Sequence, residues 1–406
     1  MANMNKKLEK QYQSMTALEH IGKKPDTYIG AIEVDDLETW ALNQDNTKFE
    51  HRNVKWVPGL YKCFDEAIVN ARDHAIRMQL SKEKKKHLVK NIEVSCIDGV
   101  IEIMNDGNGI DIAMHPKDKL WIPEMIFMHL RTSTNYDDEE KKLVGGKNGY
   151  GIKLVFVFAK WGEIETIDHI RKLKYTQRVE SNLSKIHPPK IEKYTGKPYT
   201  KVRWMPDYAK FGLDAMTSDI WSLLRKRAFD IAAVTSKSLK VKIQGKDIDI
   251  NSFGQYVDMY IGDKEDAPRI SQESDRWECI VGLSPLDEFS QVSFVNGIYT
   301  GKGGKHVDYI TNQITKKMIE YIKRKKKITV KATTIKEQLI VFVNCMIENP
   351  AFDSQTKDYM NTPYSKFGSK FEITDKVIDK LAKMGVMDAA ISLNEVKQMK
   401  KAKTTD

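Results

Sequence analysis

The 406-residue chain is poor in cysteine, has no long apolar run, and lacks the common phosphate-loop signatures. Its four cysteines, Cys63, Cys96, Cys279 and Cys345, stand far apart and form no CxxC pair. That spacing argues against a zinc site and against a secreted disulfide framework. No stretch approaches the roughly 20 apolar residues that a membrane span requires, and no apolar run follows the lysines of the amino terminus to make a signal peptide. An intracellular chain with reduced thiols and no membrane partner is expected, in which Asn182-Leu183-Ser184 is a loop rather than a glycosylation acceptor. No GxxxxGK[ST] occurs, and the glycine cluster does not fit GxGxxG in a βαβ setting, so two widespread nucleotide folds are disfavoured.

The length suits two domains, each with its own core. Composition is that of an ordinary globular protein, 41% hydrophobic and 30% charged. Lys and Arg total 66 against 56 Asp and Glu, a formal charge of +10 that favours an anionic partner.

Residues 16–30 read as a short helix and a turn at Pro25-Asp26. From Pro58 the apolar positions Phe64, Ala67, Ile68 and Ala71 follow helical spacing and give a helix with one buried face. NIEVSCI and GVIEIMN alternate around Asp98-Gly99, a hairpin leading into Asp106. Residues 164–205 alternate like antiparallel strands, and 217–234 read as a helix capped by Thr217 or Ser218. This order predicts an α+β sandwich with helices on one face of a mixed sheet. The pattern restarts after Gly245-Lys246 with a helix, the strands WECIVGL and QVSFVNGI, the helix from His306, the strand QLIVFVNCMI and a Lys-rich tail. The predicted divisions are an arm over 1–30, a first domain over 31–248 and a second over 249–406.

Three constellations carry possible chemistry. Glu66, Asn70 and Asp73 fall on one helical stripe beside the apolar face. A carboxylate there can serve as general base, and an amide oxygen one turn on can coordinate Mg²⁺; a solvated helix face explains the same spacing. Asp106-Gly107-Asn108-Gly109 follows a strand. Its glycines permit close backbone approach and its carboxylate can accept from an exocyclic amine such as that of adenine, although such turns are common. The segment from Val144 to Leu154 is glycine-rich, with Lys147 and Lys153 beside backbone N–H groups that can nest an anion.

Helix E-x-x-x-N, then D-x-G-x-G, then G-x-x-G-x-G, in this order, resembles the GHKL (Bergerat) ATPases, the family of gyrase, the Hsp90 chaperones, MutL and the histidine kinases. Within it, YQSMTALEHIGKKPDTYIG, WVPGLYKCFDEAIVNARD, TSTNYDDEEKKLVGGKNGYGIK, SFVNGIYTGKGGKHVDYI and IENPAFDSQTKDYM resemble eukaryotic-type type II DNA topoisomerases over essentially the whole chain. The resemblance implies a GHKL α/β sandwich followed by a transducer domain of the ribosomal-S5 type, with ATP and Mg²⁺ as cofactors. It implies that Glu66 activates the attacking water, Asn70 holds Mg²⁺, and Asp106 with Gly109 receives adenine. Lys147, Asn148, Gly149, Tyr150, Gly151 and Lys153 would wrap the phosphates, and Ser133 and Asn135 would contact ribose or phosphate. Gln355 and Lys357 would reach the γ-phosphate, where a lysine stabilises developing charge and distinguishes ATP from ADP. Tyr12 would touch the nucleotide of a second subunit, linking ATP binding to closure of a homodimer.

Lys323, Arg324, Lys325, Lys326 and Lys327 end a helix, where cations suit the dipole. The resemblance places them against double-stranded DNA. It also implies a longer enzyme with carboxyl-terminal TOPRIM and cleavage domains, nuclear in a cell. The short extension before Tyr12 resembles compact versions from large DNA viruses, for which host cell or virion is the expected location. Asp106 stands where many of these enzymes carry Asn, His74 where Asn is frequent, and Lys147 where Arg is frequent. A DNA clamp of MutL type with negligible turnover is the alternative; Glu66 argues against it.

Overall fold

The structure is a computed structural model that describes residues 15–82, 86–130 and 151–403. Helix α1, Ala17–Lys23, opens with a capping box: Glu19 N donates to Thr16 Oγ1 at 3.2 Å and Thr16 N donates to Glu19 Oε2 at 2.8 Å. Strands β1, Asp35–Leu42, and β2, Phe49–Trp56, form a hairpin that the sequence pattern does not announce. Pro58 then begins α2, Pro58–Leu80, at a position where its missing N–H costs nothing. β3, Asn91–Ile97, and β4, Val100–Asp106, pair through the expected turn, where Asp98 and Gly99 hold φ of 50° and 76°.

Helices α3, Ile122–Met128, and α4, Gly151–Val157, precede the run of strands β5, Ala159–Asp168, β6, Leu173–Glu180, β7, Lys185–Ile186, β8, Lys190–Lys193, and β9, Tyr199–Pro206. Helix α5, Ser218–Ala233, is capped by Thr217, whose Oγ1 accepts from Ile220 N at 3.2 Å. There follow β10, Lys240–Ile243, β11, Lys246–Asp247, and α6, Phe253–Ile261, capped by Ser252. The remaining strands are β12, Arg269–Ser274, β13, Trp277–Leu283, β14, Ser290–Val295, β15, Ile298–Tyr299, and β16, Leu339–Cys345. Helices α7, Lys305–Lys326, α8, Ala332–Lys336, α9, Asp375–Leu381, and α10, Met387–Lys403, complete the chain. The Lys-rich tail is thus helical as far as Lys403, in a helix built from good helix formers and fastened by the buried Ala390 and Asn394.

Described residues within 1–37, 55–137 and 146–224 form one compact unit, and those within 38–54, 138–145 and 225–406 a second. A division at 248 would fall inside the second. The first unit holds an antiparallel sheet ordered β3-β4-β9-β5-β6-β7, with β8 also on β6. One face is buried, as the alternation of Ile101, Ile103 and Asn105 against Glu102, Met104 and Asp106 shows, and α2 and α4 pack on it. This is the α+β sandwich that the element order predicts, although these strands pair antiparallel rather than as a mixed sheet.

The second unit has the sheet β12-β13-β16-β14-β15, in which β14 and β16 run parallel and α7 lies in the crossover between them. Ile310, Ile314, Met318 and Ile322 of α7, spaced by four, are fully buried against Trp277, Val341 and Val343. Among the described residues no helix is long and apolar enough to cross a membrane.

Candidate nucleotide site

The buried face of α2 carries charge. Lys62, Asp65, Glu66, Arg72 and Asp73 are each under a tenth exposed, a placement that is costly unless the charges are paired. Lys62 Nζ lies 2.9 Å from Glu66 Oε1 and 3.0 Å from Asp65 Oδ2. Burial works against its charge, but the carboxylates of Glu66 and Asp65 outweigh it and hold the ammonium above the usual lysine range. Glu66 Oε2 faces the first residue of α4, where any Cβ on Gly151 would overlap it. That glycine is therefore a matter of space, and it brings the start of α4 against the carboxylate.

Asn70 follows one turn along α2 and is half-buried, while Asp73 is buried and paired with Arg72 at 3.4 Å. The stripe is thus no solvated face. In the first turn of α4, Lys153 is 1% exposed, and burial pushes its ammonium down to about 8.

The turn after β4 is packed from both sides. Gly107 has φ of 93°, a Cβ on it would overlap Val89, and a Cβ on Gly109 would overlap the Ile167 carbonyl, so both glycines admit close approach. The Asp106 carboxylate is engaged elsewhere. Its Oδ1 accepts from Lys90 N at 2.6 Å and Asn91 N at 2.8 Å, and its Oδ2 from Asn91 Nδ2 at 2.7 Å. Asp106 points off the buried face and fastens the start of β3, so its carboxylate is committed to that strand rather than turned toward the buried face.

Strand alternation puts Asn105 on the buried face instead, 6% exposed. It stands opposite Thr200 of β9, which stands opposite Thr166 of β5, and the two threonine hydroxyls lie 2.8 Å apart. Thr166 Oγ1 also accepts from Ile110 N at 3.0 Å. An amide and two hydroxyls in a row on this buried face can read the polar edge of a flat ring. Sequence reasoning missed Lys62, Asn105 and Thr166; the period of two through β4 singles out Asn105.

Beside this row, His74 Nε2 lies 2.7 Å from Asn108 O, while Asn108 Oδ1 accepts from His87 N at 2.7 Å. Burial holds the His74 imidazole below its usual value, aided by Arg77 and opposed by that carbonyl.

In the second unit Lys357 is 8% exposed on the loop before Met360, with Gln355 half-buried beside it. Lys323, Arg324, Lys325 and Lys326 fill the last turn of α7 and Lys327 caps it with φ of 61°; all five are exposed. Tyr12, Ser133, Asn135, Lys147, Asn148, Gly149 and Tyr150 lie outside the described residues.

The family model described as DNA gyrase B matches residues 252–406. DNA topoisomerase 2 of Saccharomyces cerevisiae is 41% identical over 98% of this chain, and that of Arabidopsis thaliana 42% identical over 99%. The chain spans 28% and 27% of those relatives' lengths. The crystal structure of the ATPase region of S. cerevisiae topoisomerase II matches with a TM-score of 0.88 at 40% identity, covering 95% of this chain and 99% of that one. The ATPase and transducer domains of DNA topoisomerase II from Balamuthia mandrillaris match with 0.88 at 34% identity, covering 96% and 99%. Fold and site thus define an ATPase of the gyrase and topoisomerase class. The chain belongs to the type II DNA topoisomerase family and corresponds to its ATPase region, which favours the topoisomerase reading over a clamp of MutL type.

Proposed function

We propose that the first unit binds ATP with Mg²⁺ and hydrolyses it, and that bound ATP joins two copies of the chain around a DNA duplex, with hydrolysis releasing them. In a longer enzyme this cycle drives passage of one duplex through another. The observation that carries the reading is Glu66: a buried carboxylate, oriented by Lys62 and set against the first residue of α4, with Lys153 in the same helical turn.

Glu66 accepts a proton from the attacking water through Oε2, the oxygen facing the start of α4, while Lys62 holds the carboxylate by Oε1. Lys153 and the backbone N–H groups opening α4 face the phosphates. Asn70 supplies the kind of neutral oxygen that suits Mg²⁺ shared with phosphate oxygens and water; the ion, when bound, neutralises the triphosphate. The amide oxygen of Asn105 accepts from the adenine amine, with Thr166 and Thr200 beside it. Lys357 contacts the γ-phosphate and so reports ATP rather than ADP. The exposed run from Lys323 to Lys327 contacts DNA phosphates without regard to sequence.

The test is Glu66→Ala with binding and turnover measured side by side. Hydrolysis should fall by about 10²–10⁴-fold while nucleotide affinity changes little. Normal turnover in the variant would remove Glu66 as the base.

A further inference from the structure

The loop that carries Gln355 and Lys357 is laced to the turn before α7. Lys302 N donates to Asp358 O at 3.0 Å, Met360 N to Gly303 O at 3.1 Å, and Lys305 N to Met360 O at 2.8 Å. Gly304 forms a parallel bridge with Met360. It is buried there with φ of 142°, backbone that side-chain-bearing residues avoid, and a Cβ on it would overlap the Met360 backbone.

Lys357 itself holds φ of 63°, left-handed backbone that is uncommon for a residue bearing a side chain. Its N–H donates to Ser354 O at 3.2 Å. On the near side of the loop Thr356 Oγ1 donates to Asp358 Oδ2 at 2.9 Å and lies 2.7 Å from Ser354 Oγ. Side chains therefore fix one end of a short loop, and the backbone of 302–305 fixes the other.

We infer that Gly304 is a positioning residue for Lys357. The missing side chain at 304 lets the segment 358–360 close onto the start of α7, and that closure imposes the backbone from which Lys357 extends. A larger residue lifts the segment and relaxes position 357 toward ordinary backbone, carrying the ammonium away from its place. The inference rests on the proposal that Lys357 contacts the γ-phosphate; Gly304 acts only through the loop.

The experiment compares Gly304→Ala, Lys357→Ala, the double variant and Asp358→Ala in the whole chain, reading kcat for ATP and equilibrium affinity for ADP. Gly304→Ala is expected to lower kcat by about tenfold or more with ADP affinity within about twofold, since ADP has no γ-phosphate for Lys357 to meet. The double variant should be no slower than Lys357→Ala, because nothing remains to be positioned. Asp358→Ala removes the acceptor for Thr356 and an exposed ion pair with Lys302 at 3.7 Å. It should lower kcat by about threefold and likewise add nothing to Lys357→Ala.

Losses that multiply in the double variant, or a Gly304→Ala chain that turns over normally while Lys357→Ala is slow, overturn the inference. Should Gly304→Ala not fold, the same cycle on Asp358→Ala decides it by the same criterion. Wild-type kcat in Lys357→Ala overturns the role of Lys357, a failure distinct from failure of the positioning.

Discussion

The two units hold their candidate functional groups in opposite ways. In the first, Glu66, Lys62, Asn105, Thr166 and Lys153 are buried on helices and strands, each fixed by pairing or packing. In the second, Lys357 sits on a short loop and the basic run from Lys323 to Lys327 lies bare at the end of a helix. Chemistry that needs a dry, rigid setting is built into the layers, where displacing a reacting group by an ångström is expensive. The groups proposed to meet the γ-phosphate and DNA lie instead on a loop fastened at both ends and at an exposed helix end, the latter where water and salt reach it.

This contrast predicts effects of different size and kind. The largest is Lys62→Met, which leaves Glu66 and Asp65 buried without their cation. Chemical denaturation should show a loss of about 3–5 kcal/mol, whereas neutralising any one cation of the basic run should cost almost nothing. A small loss at Lys62 would mean that the first unit tolerates unpaired buried charge. Next, Asn105→Ala should weaken ATP binding by about tenfold with little loss of stability. Asp106→Ala should instead destabilise the chain by about 1–3 kcal/mol and leave ATP affinity near that of the wild type. Reversed outcomes would return the adenine contact to Asp106.

On the exposed side, Lys325, Lys326 and Lys327 can be replaced together by Ala. The slope of log affinity for duplex DNA against log salt should then shrink by about 0.9 for each phosphate no longer neutralised, with hydrolysis in the absence of DNA unchanged. An unaltered slope would leave the run as a helix cap. The smallest effect concerns pH. Burial pushes the Lys153 ammonium down to about 8, so in the free chain its charge is present below that pH and lost as pH rises through it. Phosphate favours the charged form, so nucleotide affinity should weaken by about a few-fold as pH rises past that point, and Lys153→Arg should flatten the change. Equal pH dependence in both proteins would separate Lys153 from the phosphates.

Much of this arrangement is legible from periodicity. The helix from Pro58 shows in the spacing of Phe64, Ala67, Ile68 and Ala71, and the hairpin before Asp106 in its Asp98-Gly99 turn. Asp106 draws attention in the sequence because it precedes Gly-x-Gly, but the pleat decides which residue faces the helices, and it turns Asn105 there. Lys62 hides because a lysine on a helix is ordinarily solvated, and only the three-dimensional pairing shows it enclosed. The hairpin from Asp35 to Trp56 is hard to see because Asp35-Asp36 and Glu38 make its first strand read as polar. Gly304 shows nothing in sequence beyond a Gly-Gly pair, since its constraint is the Met360 backbone, which is remote along the chain.

The claim that ATP binding, rather than hydrolysis, joins two copies of the chain is tested most directly by measuring molecular mass in solution with no nucleotide, with ADP, and with a non-hydrolysable ATP analogue. The account predicts a doubled mass with the analogue, reverting when ADP replaces it. A mass that stays the same in all three conditions would contradict it.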